Sequence, residues 1–80
     1  MLIRFKKGNN CAIYNTESIR ELQVDCDEIA GKEIVTIVLT GDDGEHDYCQ
    51  FSSLEQAREA LDKIYNAYAA GLKAITIAVD

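Results

Sequence analysis

The chain has 80 residues, a formal net charge of −6 and eight Lys and Arg residues that gather into no stripe. That length fits one domain with a modest core. Phosphate backbones and anionic lipid surfaces require clustered positive charge, so neither nucleic-acid binding nor membrane attachment is expected.

Leu2 to Lys6 alternates, with Ile3 and Phe5 on one face and Arg4 and Lys6 on the other, the pattern of a half-buried strand. Gly8-Asn9-Asn10 is a turn signal, and Cys11 to Tyr14 is expected to return as a hairpin. Asn15-Thr16-Glu17-Ser18 makes a polar corner whose side chains can bond nearby backbone and favour one tight or helical turn. A third strand is expected through Cys26, with Leu22, Val24 and Cys26 facing in and Glu21, Gln23 and Asp25 facing out.

Asp27 to Lys32 is expected as a loop, and Glu33 to Thr40 as the most apolar strand. Val35, Ile37 and Leu39 form one of its faces, and Ile34, Thr36, Val38 and Thr40 form the other. A strand apolar on both sides belongs at the centre of a sheet. Gly41-Asp42-Asp43-Gly44 turns the chain, and Glu45 to Phe51 returns antiparallel.

A helix opens next. Ser52 with Glu55, or Ser53 with Gln56, fits the capping box, in which a hydroxyl and a side chain three residues on satisfy two free amides. Leu54, Ala57, Leu61, Ile64, Tyr65, Tyr68 and Leu72 share one stripe at helical spacing, so both tyrosines are expected in the core with their hydroxyls at its boundary. Arg58–Asp62 and Glu59–Lys63 have the spacing of ion pairs on the outer face. Gly71 is a left-handed stop over which Leu72 can fold back. Ala74 to Val79 reads as a last strand, with Ile75, Ile77 and Val79 on one face. The order β-β-β-β-β-α-β predicts an α+β domain spanning residues 1–80, an antiparallel meander with one helix across a face.

No catalytic, cofactor or metal site is expected. Cys11, Cys26 and Cys49 are odd in number and sit at spacings foreign to zinc or redox motifs, so they read as free thiols in a reducing, cytoplasmic setting. The acidic run Asp42-Asp43-Gly44-Glu45-His46-Asp47 lacks the spacing of a calcium loop and has the Asp-Gly of a hairpin turn. His46 and Cys49, three apart on a strand, point to opposite faces and cannot form a pair without a bulge. Cys26 lies among Asp25, Asp27 and Glu28, which raise a thiol pKa. The Met1–Lys7 segment has no apolar run of a signal peptide, and nothing approaches the ~20 apolar residues of a membrane span.

An Ile13-Tyr14-Asn15 turn, the Ile-x-x-Leu-x-Val of Ile19–Val24, an apolar strand ending at Gly44, and Phe51-Ser52-Ser53-Leu54-Glu55-Gln56-Ala57 leading into Ala60–Tyr65 occur in that order. The pattern resembles small, mostly uncharacterised proteins of bacteria, their phages and mobile elements, built as a sheet followed by one "Phe-Ser-x-x-Glu-x-Ala" helix. The resemblance implies a fold and a genomic setting and carries over no site residue. The function expected from all this is a non-enzymatic protein-interaction module that self-associates as a homodimer, with Ala74 to Val79 free either to close its own sheet or to pair with a neighbour. The alternative is an acidic inhibitor or decoy that occupies a basic site on a host nucleic-acid enzyme.

Overall fold

Alternation, turn chemistry and helix caps place the elements in the order expected. The computed structural model describes residues 1–79. Its strands are β1 (Leu2–Lys7), β2 (Asn10–Asn15), β3 (Ile19–Ile29), β4 (Lys32–Gly41), β5 (His46–Phe51) and β6 (Ala74–Val79), with a 3₁₀ turn at Thr16–Ser18 and the helix α1 (Leu54–Ala69) between β5 and β6. The domain is α+β, with two three-stranded sheets ordered β2-β1-β6 and β3-β4-β5.

The two-sided strand β4 lies at the centre of its sheet, antiparallel to both neighbours. Its inner face, Val35, Ile37 and Leu39, is buried at 3% exposure or less. Those residues join Ile3, Phe5, Phe51, Ile77 and Val79 and the helix residues Ala57, Ala60 and Ile64 in one core. No second layer covers the outer face of β4, yet Val38 and Thr40 are also buried. Cross-strand neighbours shield them, since Gln23 and Tyr48 flank Val38 while Glu21 and His46 flank Thr40.

The last strand stays within its own chain. β6 runs parallel to β1, with Ile3 opposite Ile75 and Phe5 opposite Ile77. The crossover from β1 back to β6 contains the whole second sheet and the helix, so the division into two sheets replaces a continuous meander. The free edge of β6 has one of its carbonyls engaged by the helix. Lys63 of α1 donates from Nζ to the Thr76 carbonyl at 2.8 Å, which directs it to the sheet and not to the Glu59 expected from helical spacing. Lys7 similarly donates to the Gln50 carbonyl of β5 at 3.3 Å.

Two boundaries differ from expectation. β3 and β4 extend through Asp27–Lys32, leaving only Ala30 and Gly31 as the hairpin loop, with Ile29 paired to Lys32. Both loop residues have positive φ, 53° and 78°, as a two-residue turn of primed type requires. Ala30 has a Cβ in the left-handed region, which disguises the turn in sequence.

The buried face of α1 is Ala57, Ala60, Ile64 and Ala67. These small residues let the helix axis come close to the strands. The apolar stripe is therefore rotated from the one expected. Tyr65 and Tyr68 are 74% and 67% exposed, and Leu72 is exposed as well. At the C-terminal end Leu72 N–H donates to the Ala67 carbonyl and Gly71 N–H to that of Tyr68, a paired stop made possible by Gly71 at φ 74°. At the N-terminal end Ser53 is the cap, its Oγ accepting from Gln56 N–H at 3.2 Å. The Ser52 hydroxyl instead donates to Gln56 Oε1. Ser53→Ala is accordingly expected to cost ~0.5–2 kcal/mol in thermal or urea unfolding, and Ser52→Ala less. The reverse ranking would put the cap one residue earlier.

Candidate functional site

Tyr65 and Tyr68 border an apolar cleft between α1 and the beginning of β3, with a volume of about 550 Å³. Met1, Ile19, Leu22 and Leu61 line it, all half-buried. Arg20, Glu21 and Asp62 add charge. Hydropathy assigned the tyrosines to the core. Their position, beside the alanine face and not on it, makes them the wall of an open depression. No His, Cys or Ser is among the residues lining the cleft, whose polar groups come from Thr16, Arg20, Glu21, Asp62 and the two tyrosines.

The sheet registers sort the remaining polar residues into faces. On the outer face of β3-β4-β5, Glu21, Gln23, Asp25 and Asp27 run along β3, opposite Thr40, Val38, Thr36 and Ile34. His46, Tyr48 and Gln50 continue the rows on β5. His46 Nδ1 lies 3.1 Å from Thr40 Oγ1. Cys49 is paired with the inward Ile37, so His46 and Cys49 occupy opposite faces as alternation requires. Tyr48 on the edge strand β5 is 68% exposed and stands beside the central Val38 on this outer face.

Charge follows the same division. From Thr16 to Phe51 there are ten carboxylates, and Arg20 and Lys32 are the only cations. The strands β1, β2 and β6 hold Arg4, Lys6 and Lys7 and no Asp or Glu. Their outer face comprises Leu2, Arg4 and Lys6 on β1, flanked by Cys11, Ile13 and Asn15 on β2 and by Ala74, Thr76 and Ala78 on β6. Arg4 Nε donates to Thr76 Oγ1 at 3.1 Å, which ties the guanidinium to the neighbouring strand β6. Leu2 and Ile13 beside it are 46% and 62% exposed.

The acidic turn does structural work. Asp43 Oδ1 accepts from Glu45 N–H at 3.2 Å, Gly44 N–H donates to the Gly41 carbonyl, and Gly44 takes φ 83°. Among the described residues no three His, Cys, Asp or Glu side chains are placed to hold a metal ion. Cys11 and Cys26 are exposed and Cys49 is partly covered, all as free thiols.

The Cys26 thiol pKa is raised by desolvation first, then by the charge and hydrogen bond of Glu33 and the charge of Asp27, with Arg58 opposing. Glu33 was not among the neighbours singled out in sequence, because the β3–β4 register brings it in from the other strand. Burial raises the Cys49 thiol as well, with Lys7 opposing. A raised pKa leaves less thiolate at neutral pH. Alkylation of Cys26 by iodoacetamide, followed by peptide mass spectrometry, is expected to accelerate only above the ordinary thiol range of about 8.5. Rapid labelling of Cys26 at neutral pH would contradict this environment.

No protein-family model, curated protein or solved structure matches the chain. No helix among the described residues is long and apolar enough to cross a membrane.

Proposed function

We propose that the chain is a small non-enzymatic protein-interaction module that acts in the cytosol and associates with copies of itself. The observation that carries this is the bare outer face of the β2-β1-β6 sheet, where Leu2 on β1 and Ile13 on β2 are 46% and 62% exposed. All-parallel sheets are covered on both faces; this sheet is mixed, and the core covers one face of its parallel pair. Pairing through β6 as an added strand is set aside, because β1 occupies one edge and Lys63 bonds a carbonyl on the other. The surfaces left for contact are the two outer sheet faces and the edge strand β2, which pairs only with β1. Sedimentation velocity from about 10 µM to about 1 mM, a range suited to weak association, tests the proposal. A mass that rises with concentration supports it, and a monomer throughout defeats it.

A second function is favoured by the ten carboxylates between Thr16 and Phe51, some aligned along one strand face. An acidic decoy would occupy the basic DNA-binding surface of a host enzyme. It would displace duplex DNA from that enzyme, and Asp25→Lys/Asp27→Lys would lose the effect. Unchanged DNA affinity in the presence of the chain would exclude it for the enzyme tested.

A further inference from the structure

We infer that copies of this chain stack head to tail, the basic outer face of β2-β1-β6 lying on the acidic outer face of β3-β4-β5 of the next copy. This rests on the self-association proposed above and adds its geometry. The first face carries Arg4 and Lys6 among Leu2, Ile13 and Ala78. The second carries Glu21, Asp25 and Asp27 beside the exposed Tyr48. A two-fold dimer would bring one face against itself, placing cations on cations or carboxylates on carboxylates. Like charges in apposition cost several kcal/mol and suppress that contact. Joining the unlike faces matches charge with charge, and sets Tyr48 against the apolar Leu2 and Ile13.

Edge-to-edge association has obstacles at three of the four edges, the uncharged β2 being the exception. The carbonyls of Gln50 on β5 and Thr76 on β6 are engaged by lysines, and the long free edge strand β3 is dense in carboxylates, a common guard against strand addition. Contacts between two different patches are heterologous, so they propagate into rings or filaments and do not stop at two copies. The contact is small. Three strands of six residues span about 15 by 20 Å, roughly 300 Å² per copy and well below the ~800 Å² per partner of a standard interface, so the assembly is weak, concentration-dependent and sensitive to salt.

The test is sedimentation velocity of the full chain at about 50 mM and about 500 mM salt, conditions that straddle effective screening. The wild type is expected to assemble at low salt and disperse at high salt. Arg4→Glu/Lys6→Glu and Asp25→Lys/Asp27→Lys are each expected to remain monomeric, with circular dichroism confirming that both are folded. Each variant keeps one intact face. An equal mixture should therefore recombine at low salt. Lys6→Glu alone, which leaves the Arg4–Thr76 bond in place, should weaken assembly about tenfold. Salt-insensitive assembly, a charge-reversed variant that assembles like wild type, or two monomeric variants that fail to recombine would overturn head-to-tail stacking while leaving self-association standing. A wild type that is monomeric under every condition would overturn both.

Discussion

A chain ending at Lys73 is expected to be unfolded at room temperature, not merely released from a partner. The truncation removes β6, and with it Ile77 at 3% exposure, Val79 at 7% and the partly buried Ile75. Each fully buried aliphatic side chain contributes ~1.5–3 kcal/mol by leaving water. The ladder with β1 is lost too, leaving Ile3 and Phe5 without cover along one side. An 80-residue domain has only about 4–12 kcal/mol of total stability, so these losses together consume most or all of it. Far-ultraviolet circular dichroism and amide dispersion in NMR spectra check the outcome. A truncated chain that melts like the full one would show that β6 is dispensable and that the core lies elsewhere.

The second large effect is expected at the helix. Ile64 is 5% exposed and belongs to the core, whereas Leu61 is half-buried on the wall of the cleft. Ile64→Ala is expected to destabilise by ~2–5 kcal/mol, the loss of transfer energy plus the cavity left behind. Leu61→Ala should cost below about 2 kcal/mol, because part of its side chain is already in water. Tyr68→Ala, at an exposed position, should fall within about 0.5 kcal/mol of wild type. Urea unfolding resolves the three as shifts in midpoint at constant m-value. A Tyr68→Ala loss as large as that of Ile64→Ala would restore the tyrosine to the core and close the cleft.

The contrast between Ile64 and Tyr68 shows where hydropathy alone stops. Periodicity placed the helix between Ser53 and Gly71 and placed β4 at the centre of a sheet, because both signals are local and repeat along the chain. The orientation of the helix was decided otherwise. Ala57, Ala60 and Ala67 carry little hydrophobic weight in a sequence but permit close approach to the sheet, and that geometry overrode the larger tyrosines. The β3–β4 turn was hidden for a related reason, since Ala30 occupies a conformation in which glycine or asparagine is the usual signal. The partner of β6 lay beyond any local pattern, being a strand some 70 residues away in sequence. The surface now proposed for contact was partly visible as the alternation of Arg4 and Lys6 with Ile3 and Phe5. What the alternation lacked was the companion Ile13 and the knowledge that nothing packs on that side.

The parallel pairing of β1 with β6 also governs the order in which the domain is able to form. During synthesis β1 emerges first and β6 last. The β1–β2 hairpin, the β3–β4–β5 meander and α1 rest on short-range contacts and can assemble as they appear. Ile3 and Phe5, however, have their parallel neighbour only after residues 74–79 leave the ribosome. Closing so long a loop delays the reward for ordering it, and folds rich in such pairings are slow and pass through exposed intermediates. The interval between the first strand and the last is thus when a nascent chain presents this sheet unfinished, and when a chaperone or a neighbouring nascent copy would meet it.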